Sequence, residues 1–244
     1  MAYLEPDTPP PSLSSESSYQ NAGKSPPPPE TRDWALLPRD ILCEVFHRTG
    51  HVDILFGAGL ACTAWRSVAV DEPALWRHVD LYEKDNREDD WYWTARMAMA
   101  RSAVDRSRGQ CESFRGPADR YLLVYLAARA PLLRSLEIIS LWCLPDAFVD
   151  RVIPKIPMLE VLTMVSGHLF ASTLRALLHH CPRLHLLNAG HSFLDKDVTL
   201  NLLTECHNKF KVFKVVSKTS PICYCVTCLY QRRGRFIYNI NNII

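Results

Sequence analysis

Three cysteines, Cys223, Cys225 and Cys228, fall within six positions of "PICYCVTCLYQRRGRF", and Arg232, Arg233 and Arg235 follow them. Cysteines this close could hold a metal, and the arginines with Tyr224, Tyr230 and Phe236 could contact nucleic acid. A structural zinc site, however, presents two separate hooks of the C-x2–4-C or H-x3–5-H kind. Here the C-x-C and C-x2-C share Cys225, and a fourth ligand would have to come from Cys206 or His207 across an untypical gap. Cys43 and His47 lie four apart on an expected helix without further ligands. His179, His180 and Cys181 close another helix, where imidazoles complement the negative pole without any metal. Asp195 and Asp197 are too close in a loop to suggest a general acid and base by themselves. No P-loop, dinucleotide glycine fingerprint, nucleophile elbow or H-E-x-x-H is present. The expectation is a chain with no active site, no metal and no cofactor.

The totals narrow the class. Hydrophobic residues make up 48% of the 244, enough for a packed core, and a net charge of +2 argues for neither nucleic acid nor anionic membrane. No apolar run approaches the roughly 18–20 residues of a bilayer span. The first twenty residues have neither the basic nor the apolar region of a signal peptide. The nine cysteines, odd in number and scattered before the tail, read as reduced thiols of a nuclear and/or cytoplasmic protein.

Residues 1–32 are rich in Pro and Ser and read as a disordered arm. The composition then changes at "RDWALLPRDILCEVFHRTG". Pro38 suits the first helical position, Asp40 the first turn, and Ile41, Leu42, Val45 and Phe46 make an apolar face. Gly50 ends that helix, and Asp53 is placed to cap a short second one. A third carries Leu60, Ala64, Trp65 and Val68 on one side, and Pro73 opens a last turn with Leu75 and Trp76. So small a unit has only a marginal core of its own and carries more apolar surface than it can hide, which implies a docking partner.

"LPRDILCEVF…GLACTAWRSVAVDEPALWRHVDL" resembles an F-box of the form common in plants, over residues 33–81. Thr49 departs from the family, whose members usually carry Leu there. F-boxes bind a Skp-type adaptor and through it cullin and RING subunits. The resemblance implies that Leu37, Pro38, Ile41, Leu42 and Val45 face the adaptor, with Trp65 and Trp76 shared between fold and interface.

Residues 82–109 read as a charged linker, "YEKDNREDD", and a connecting helix that buries Trp93, Met97 and Val104. Its Arg96, Arg101, Arg106 and Arg108 are expected on a solvated face. From 110 to 216 the chain repeats. "PLLRSLEII", "PMLEVLTMV" and "PRLHLLNAG" begin at Pro131, Pro157 and Pro182, with apolar residues two, five and seven places on. "CESFRG" fits as an earlier unit and "NKFKVFKVV" as a later one. Helical connectors carry Phe148, Val149 and Val152, then Leu174, Leu177 and Leu178. Strand plus helix at this period is the leucine-rich-repeat signature.

An F-box followed by such repeats resembles the plant F-box/LRR proteins. The fold class implied is α plus α/β: a three-helix F-box, then a short leucine-rich-repeat solenoid with a curved parallel sheet. In that family the repeats recruit a protein substrate. Strand alternation puts Ser135, Glu137 and Ile139, Val161, Thr163 and Val165, Leu186 and Asn188, and Lys214 on the concave face. Of these, Glu137, Ile139, Thr163, Val165, Asn188 and Lys214 are the candidate substrate contacts. The resulting expectation is a non-catalytic substrate-recognition subunit of an SCF ubiquitin ligase, with no membrane or nucleic-acid partner. Alternatives are an adaptor-binding protein that recruits nothing for degradation, and a zinc- or nucleic-acid-binding protein acting through its tail. Residues 217–244 fit neither repeat nor family and are expected to be an atypical, poorly ordered terminus.

Overall fold

The computed structural model describes residues 33–83, 90–139, 148–165 and 167–216. The arm expected over 1–32 and the cysteine-containing tail over 217–244 lie outside the described residues. Contacts divide the chain into Met1–Trp34 and Ala35–Ile244, so the F-box-like helices and the repeats belong to one compact unit.

Helix α1 (Arg39–Arg48) starts at Pro38, which is its N-cap rather than its first residue, and whose carbonyl accepts from Leu42 N–H at 3.0 Å. Asp40 in the first turn and His47 and Arg48 in the last match the helix dipole. Leu42 and Phe46, one turn apart, enter the core. Thr49 compensates for its short side chain by donating its hydroxyl to Val45 O at 2.8 Å. Helix α2 (His51–Phe56) follows Gly50, which is its N-cap; Asp53, expected in that role, sits in the first turn. Gly59 is required by close approach: a Cβ there would stand 2.6 Å from Ile54 O. Leu60, expected on the buried side of the next helix, instead ends a 3-10 turn (Ala58–Leu60) and is exposed. Helix α3 (Thr63–Asp71) buries Val68 and Ala69.

The repeats supply β1 (His78–Asp80), β2 (Ser113–Gly116), β3 (Ser135–Ile138), β4 (Val161–Met164), β5 (Gly167–Leu169), β6 (Leu186–Leu194) and β7 (Val212–Val216). They form one parallel sheet in the order β1-β2-β3-β4-β6-β5, with β7 on β6. The register aligns Val79, Phe114, Leu136, Leu162, Leu187 and Phe213 across six strands. The residue three places before each makes a parallel layer of Trp76, Cys111, Leu133, Leu159, Leu184 and Phe210, every one buried. The first of these rows reveals what the repeat pattern did not: the sheet begins at β1, inside the segment expected to be F-box alone. Trp76 is the first rung of its layer, wholly buried, and donates its indole N–H to Ala69 O at 2.9 Å.

Helices cover one face of the sheet. Helix α4 (Asp90–Arg106) buries Met97, Ala100, Ala103 and Val104, with Trp93 partly covered. Two of the four arginines expected on a solvated face are held elsewhere, whereas Arg108, just past the helix, is exposed and pairs with Asp71 at 3.1 Å. Arg96 is 3% exposed and pairs with Glu83 at 2.7 Å, while Arg106 lies 5.2 Å from the Trp76 ring centroid. A counter-charge holds the first, and the indole face attracts the second. Burial, then the neighbouring Arg66, lowers the pKa of Arg106. Helix α5 (Arg120–Arg129), not foreseen, buries Leu122, Leu123, Leu126 and Ala127, and Asp119 caps it by accepting from Leu122 N–H at 2.6 Å. The connector at Phe148 is a π-helical turn (Phe148–Val152) and a 3-10 turn (Ile153–Lys155), since Pro154 forbids a continued α-helix. Helix α6 (Ala171–His180) buries Leu174 and Leu177, and α7 (Leu200–Lys209) buries Leu202 and Cys206.

Because Trp76 ties α3, α4 and the first layer together, Trp76→Ala is expected to lower stability by about 3–5 kcal/mol, measured by urea unfolding.

Candidate functional site

Two surfaces gather the candidate residues. Leu37 just before α1, and Ile41 and Val45 on it, are spaced four residues apart: Ile41 is 47% exposed, Val45 is half-buried, and Leu37 is half-buried and packs against the core. Pro38 is exposed beside them. Of the other residues expected to face the adaptor or to be shared with it, two are core and one is half-buried. Leu42 is 1% exposed and Trp76 0%, so both are core, while half-buried Trp65 packs edge-to-face on Phe46 with centroids 5.6 Å apart. Leu36 and Phe56 are exposed apolar residues that the pattern did not single out, and Leu60 is exposed beside its expected place on a helix face.

The second surface is the sheet face away from the helices. The register sets Asp80, Arg115, Glu137, Thr163, Asn188 and Lys214 in one row across six strands. All of the row from Glu137 onward was expected; Asp80 was not, because β1 was not, and Arg115 lies on the early "CESFRG" unit, from which no concave residue was named. Ile139 and Val165 sit just past β3 and β4, half-buried and 36% exposed respectively. Arg115 organises the row's first half: it lies 3.3 Å from Asp80, 3.1 Å from Glu137 and 4.3 Å above the Tyr82 ring. Burial works against its charge, but the hydrogen bonds and charges of Glu137 and Asp80 outweigh it and hold the guanidinium pKa above its ordinary value. The first half of the row therefore holds one cation between two carboxylates and keeps an excess of negative charge, while Lys214 at its far end is exposed and in no ion pair among the described residues.

The sulfur and imidazole groups do not assemble into a centre. Among the described residues, no group of three or more His, Cys, Asp or Glu could hold a metal ion. The rings of His179 and His180 meet edge-to-face at 4.6 Å at the end of α6. Burial pushes the Cys111 thiol up to about 12 and those of Cys181 and Cys206 to about 11. At neutral pH such thiols stay protonated and are poor nucleophiles. In the native protein, Cys62, which is half-buried, should take up iodoacetamide well before Cys111, Cys181 and Cys206. Mass-spectrometric mapping of labelled sites checks this order.

Residues 34–82 match the F-box-like family model. F-box/LRR-repeat protein 23 of Arabidopsis thaliana is 35% identical over 162 residues, covering 64% of this chain and 34% of that protein. F-box protein SKIP19 of Arabidopsis thaliana is 35% identical over 137 residues, 54% of this chain and 43% of that protein. F-box/LRR-repeat protein 9 of Arabidopsis thaliana is 29% identical over 181 residues, 72% of each chain. The chain thus spans about a third to under a half of the length of the first two. Each alignment is longer than all of the chain up to residue 82, so the likeness runs into the repeats. An F-box-like domain leading into stacked strand-and-helix repeats, with similarity through both, makes the chain a plant protein of the F-box/LRR-repeat kind.

Proposed function

We propose that this chain is the substrate-recognition subunit of an SCF-type ubiquitin ligase. The F-box-like domain docks on a Skp-type adaptor, through which cullin and RING subunits join, and the repeats hold a protein substrate. The observation that carries this reading is the α1 stripe. Ile41 is exposed, and Val45 and Leu37 are only half-buried, on an F-box-like domain whose core Leu42 and Phe46 already fill.

The contribution of this chain is position rather than bond-making. Tethering a substrate near the ubiquitin-charged subunit turns an encounter in solution into an intramolecular one, with effective concentrations of order millimolar for short flexible tethers. The continuity of β1 with the repeats supports this mechanism, because a partner held by α1 and one held on the sheet are joined through packed structure. The nucleus and/or cytoplasm is the compartment this role requires.

Ile41→Asp places a charge in the middle of the stripe without touching the core. Capture of a purified Skp-type adaptor should fall by about thirtyfold, as for loss of a central interface anchor, while the melting temperature is unchanged. Unaltered capture would overturn the proposal.

A further inference from the structure

Among the described residues, charge is paired along most of the sheet and unpaired at its last strand. Just before the strands, Arg77 pairs with Glu112 at 3.1 Å and Arg134 with Glu160 at 3.0 Å. Within the strands Arg115 takes up both Asp80 and Glu137. The equivalent positions on β7 hold Lys211 and Lys214, both exposed and neither in an ion pair among the described residues.

Beside these lysines the last repeat is open. Leu200, Leu203, His207, Phe213, Lys214 and Val215 line a groove of about 710 Å³ between α7 and β7. In the turn before, Leu187 and Ala189 hold the places of Phe213 and Val215 and are fully buried, because β7 stacks beside them. Among the described residues Phe213 and Val215 have no such neighbour and are half-buried, and Leu200 is 81% exposed. The volume falls in the ~300–1,000 Å³ range of ligand clefts, but the groove opens broadly to solvent, which suits the side chains of a peptide better than an enclosed small molecule.

We infer that the groove between α7 and β7 binds an acidic, aliphatic segment of a partner protein, with aliphatic side chains against Leu200, Leu203 and Phe213 and a carboxylate on Lys214. Charge selects this occupant over two others. Residues 217–244 carry Lys218, Arg232, Arg233 and Arg235 and no Asp or Glu, so the chain's own C-terminal segment brings like charge to Lys211 and Lys214. A second copy of the same groove would do the same. Glu205, the acid of α7, does not line the groove. Opposite charge at such a rim chooses between partners more than it adds affinity, and apolar burial supplies the binding. The inference names a substrate class for the proposed receptor; it rests on that reading for the partner's fate, not for the binding itself.

The test uses the full chain and fluorescein-labelled peptides of alternating Leu and Glu, or Leu and Lys, followed by anisotropy. The Leu/Glu peptide should bind in a salt-sensitive way and the Leu/Lys peptide should not. Leu200→Glu and Lys214→Glu should each weaken binding by about tenfold while adaptor capture is unchanged. Equal binding of both peptides, binding of neither, or indifference to both substitutions would overturn the inference. So would capture of residues 229–244 by a photo-cross-linker placed at Leu200, without peptide binding, which makes the chain's own C-terminal segment the occupant. A dimer that Leu200→Glu dissolves makes a second copy the occupant and overturns it too. Loss of adaptor capture with peptide binding retained would sink the receptor reading and leave the groove's assignment standing.

Discussion

Val79, Phe114, Leu136, Leu162, Leu187 and Phe213 stand side by side on six parallel strands, and the rest of the molecule is arranged to keep them there. Side chains alternate between faces, so a slip of one residue in any strand would turn its apolar set toward water and its polar set into the core. That constraint is stricter than the spacing between layers. From Trp76 to Phe210 the separation of successive layers varies from 22 to 35 residues, and the connectors absorb the difference as α4, α5, a π-helical turn, α6 and α7. Backbone bonds carry the register between strands: Arg134 N–H to Glu112 O at 2.8 Å, Glu160 N–H to Arg134 O at 2.7 Å, and His185 N–H to Glu160 O at 3.0 Å.

The same alternation explains which features could be seen in the sequence. Leu133, Leu136 and Ile138 and their equivalents at Pro157 and Pro182 are large, apolar and regularly placed, and all are buried. β1 escaped notice because its three residues, His-Val-Asp, are too few to show a period, and its layer partner Trp76 already had a place in the docking pattern. α5 escaped for the opposite reason. Tyr121, Leu122, Leu123, Val124 and Leu126 leave no polar stripe, so there is no amphipathic period to detect. For α1 and Trp76 the pattern identified the residues but not their direction. Leu42 and Ile41 are neighbours in sequence, and only the packing decides that one is core and the other surface.

Charge was less legible still. Asp80, Arg115 and Glu137 are far apart along the chain, and nothing local marks them as one group until the register brings them together. The arginines of α4 likewise look like a solvent-facing stripe until Glu83 and the Trp76 ring are set against them. Ion pairs of this exposed kind add little stability each, so the row from Asp80 to Glu137 says more about what the open face will accept than about what holds the sheet together.

Trp76 and β1 also bear on how the chain acquires its shape. A stack of repeats has two raw ends, and each added unit needs a finished surface to pack on. The F-box-like helices, made first, close the near end: Trp76 lies over α3, and Val79 and Leu81 present a completed apolar edge to Phe114 and Gly116. Chains are synthesised at roughly 5–20 residues per second with N-terminal portions folding first. Each strand from β2 to β4, then β6 and β7, can therefore add to an edge already in place as it emerges. The domain that resembles an adaptor-docking module thus presents, on Val79 and Leu81, an edge from which the sheet can grow.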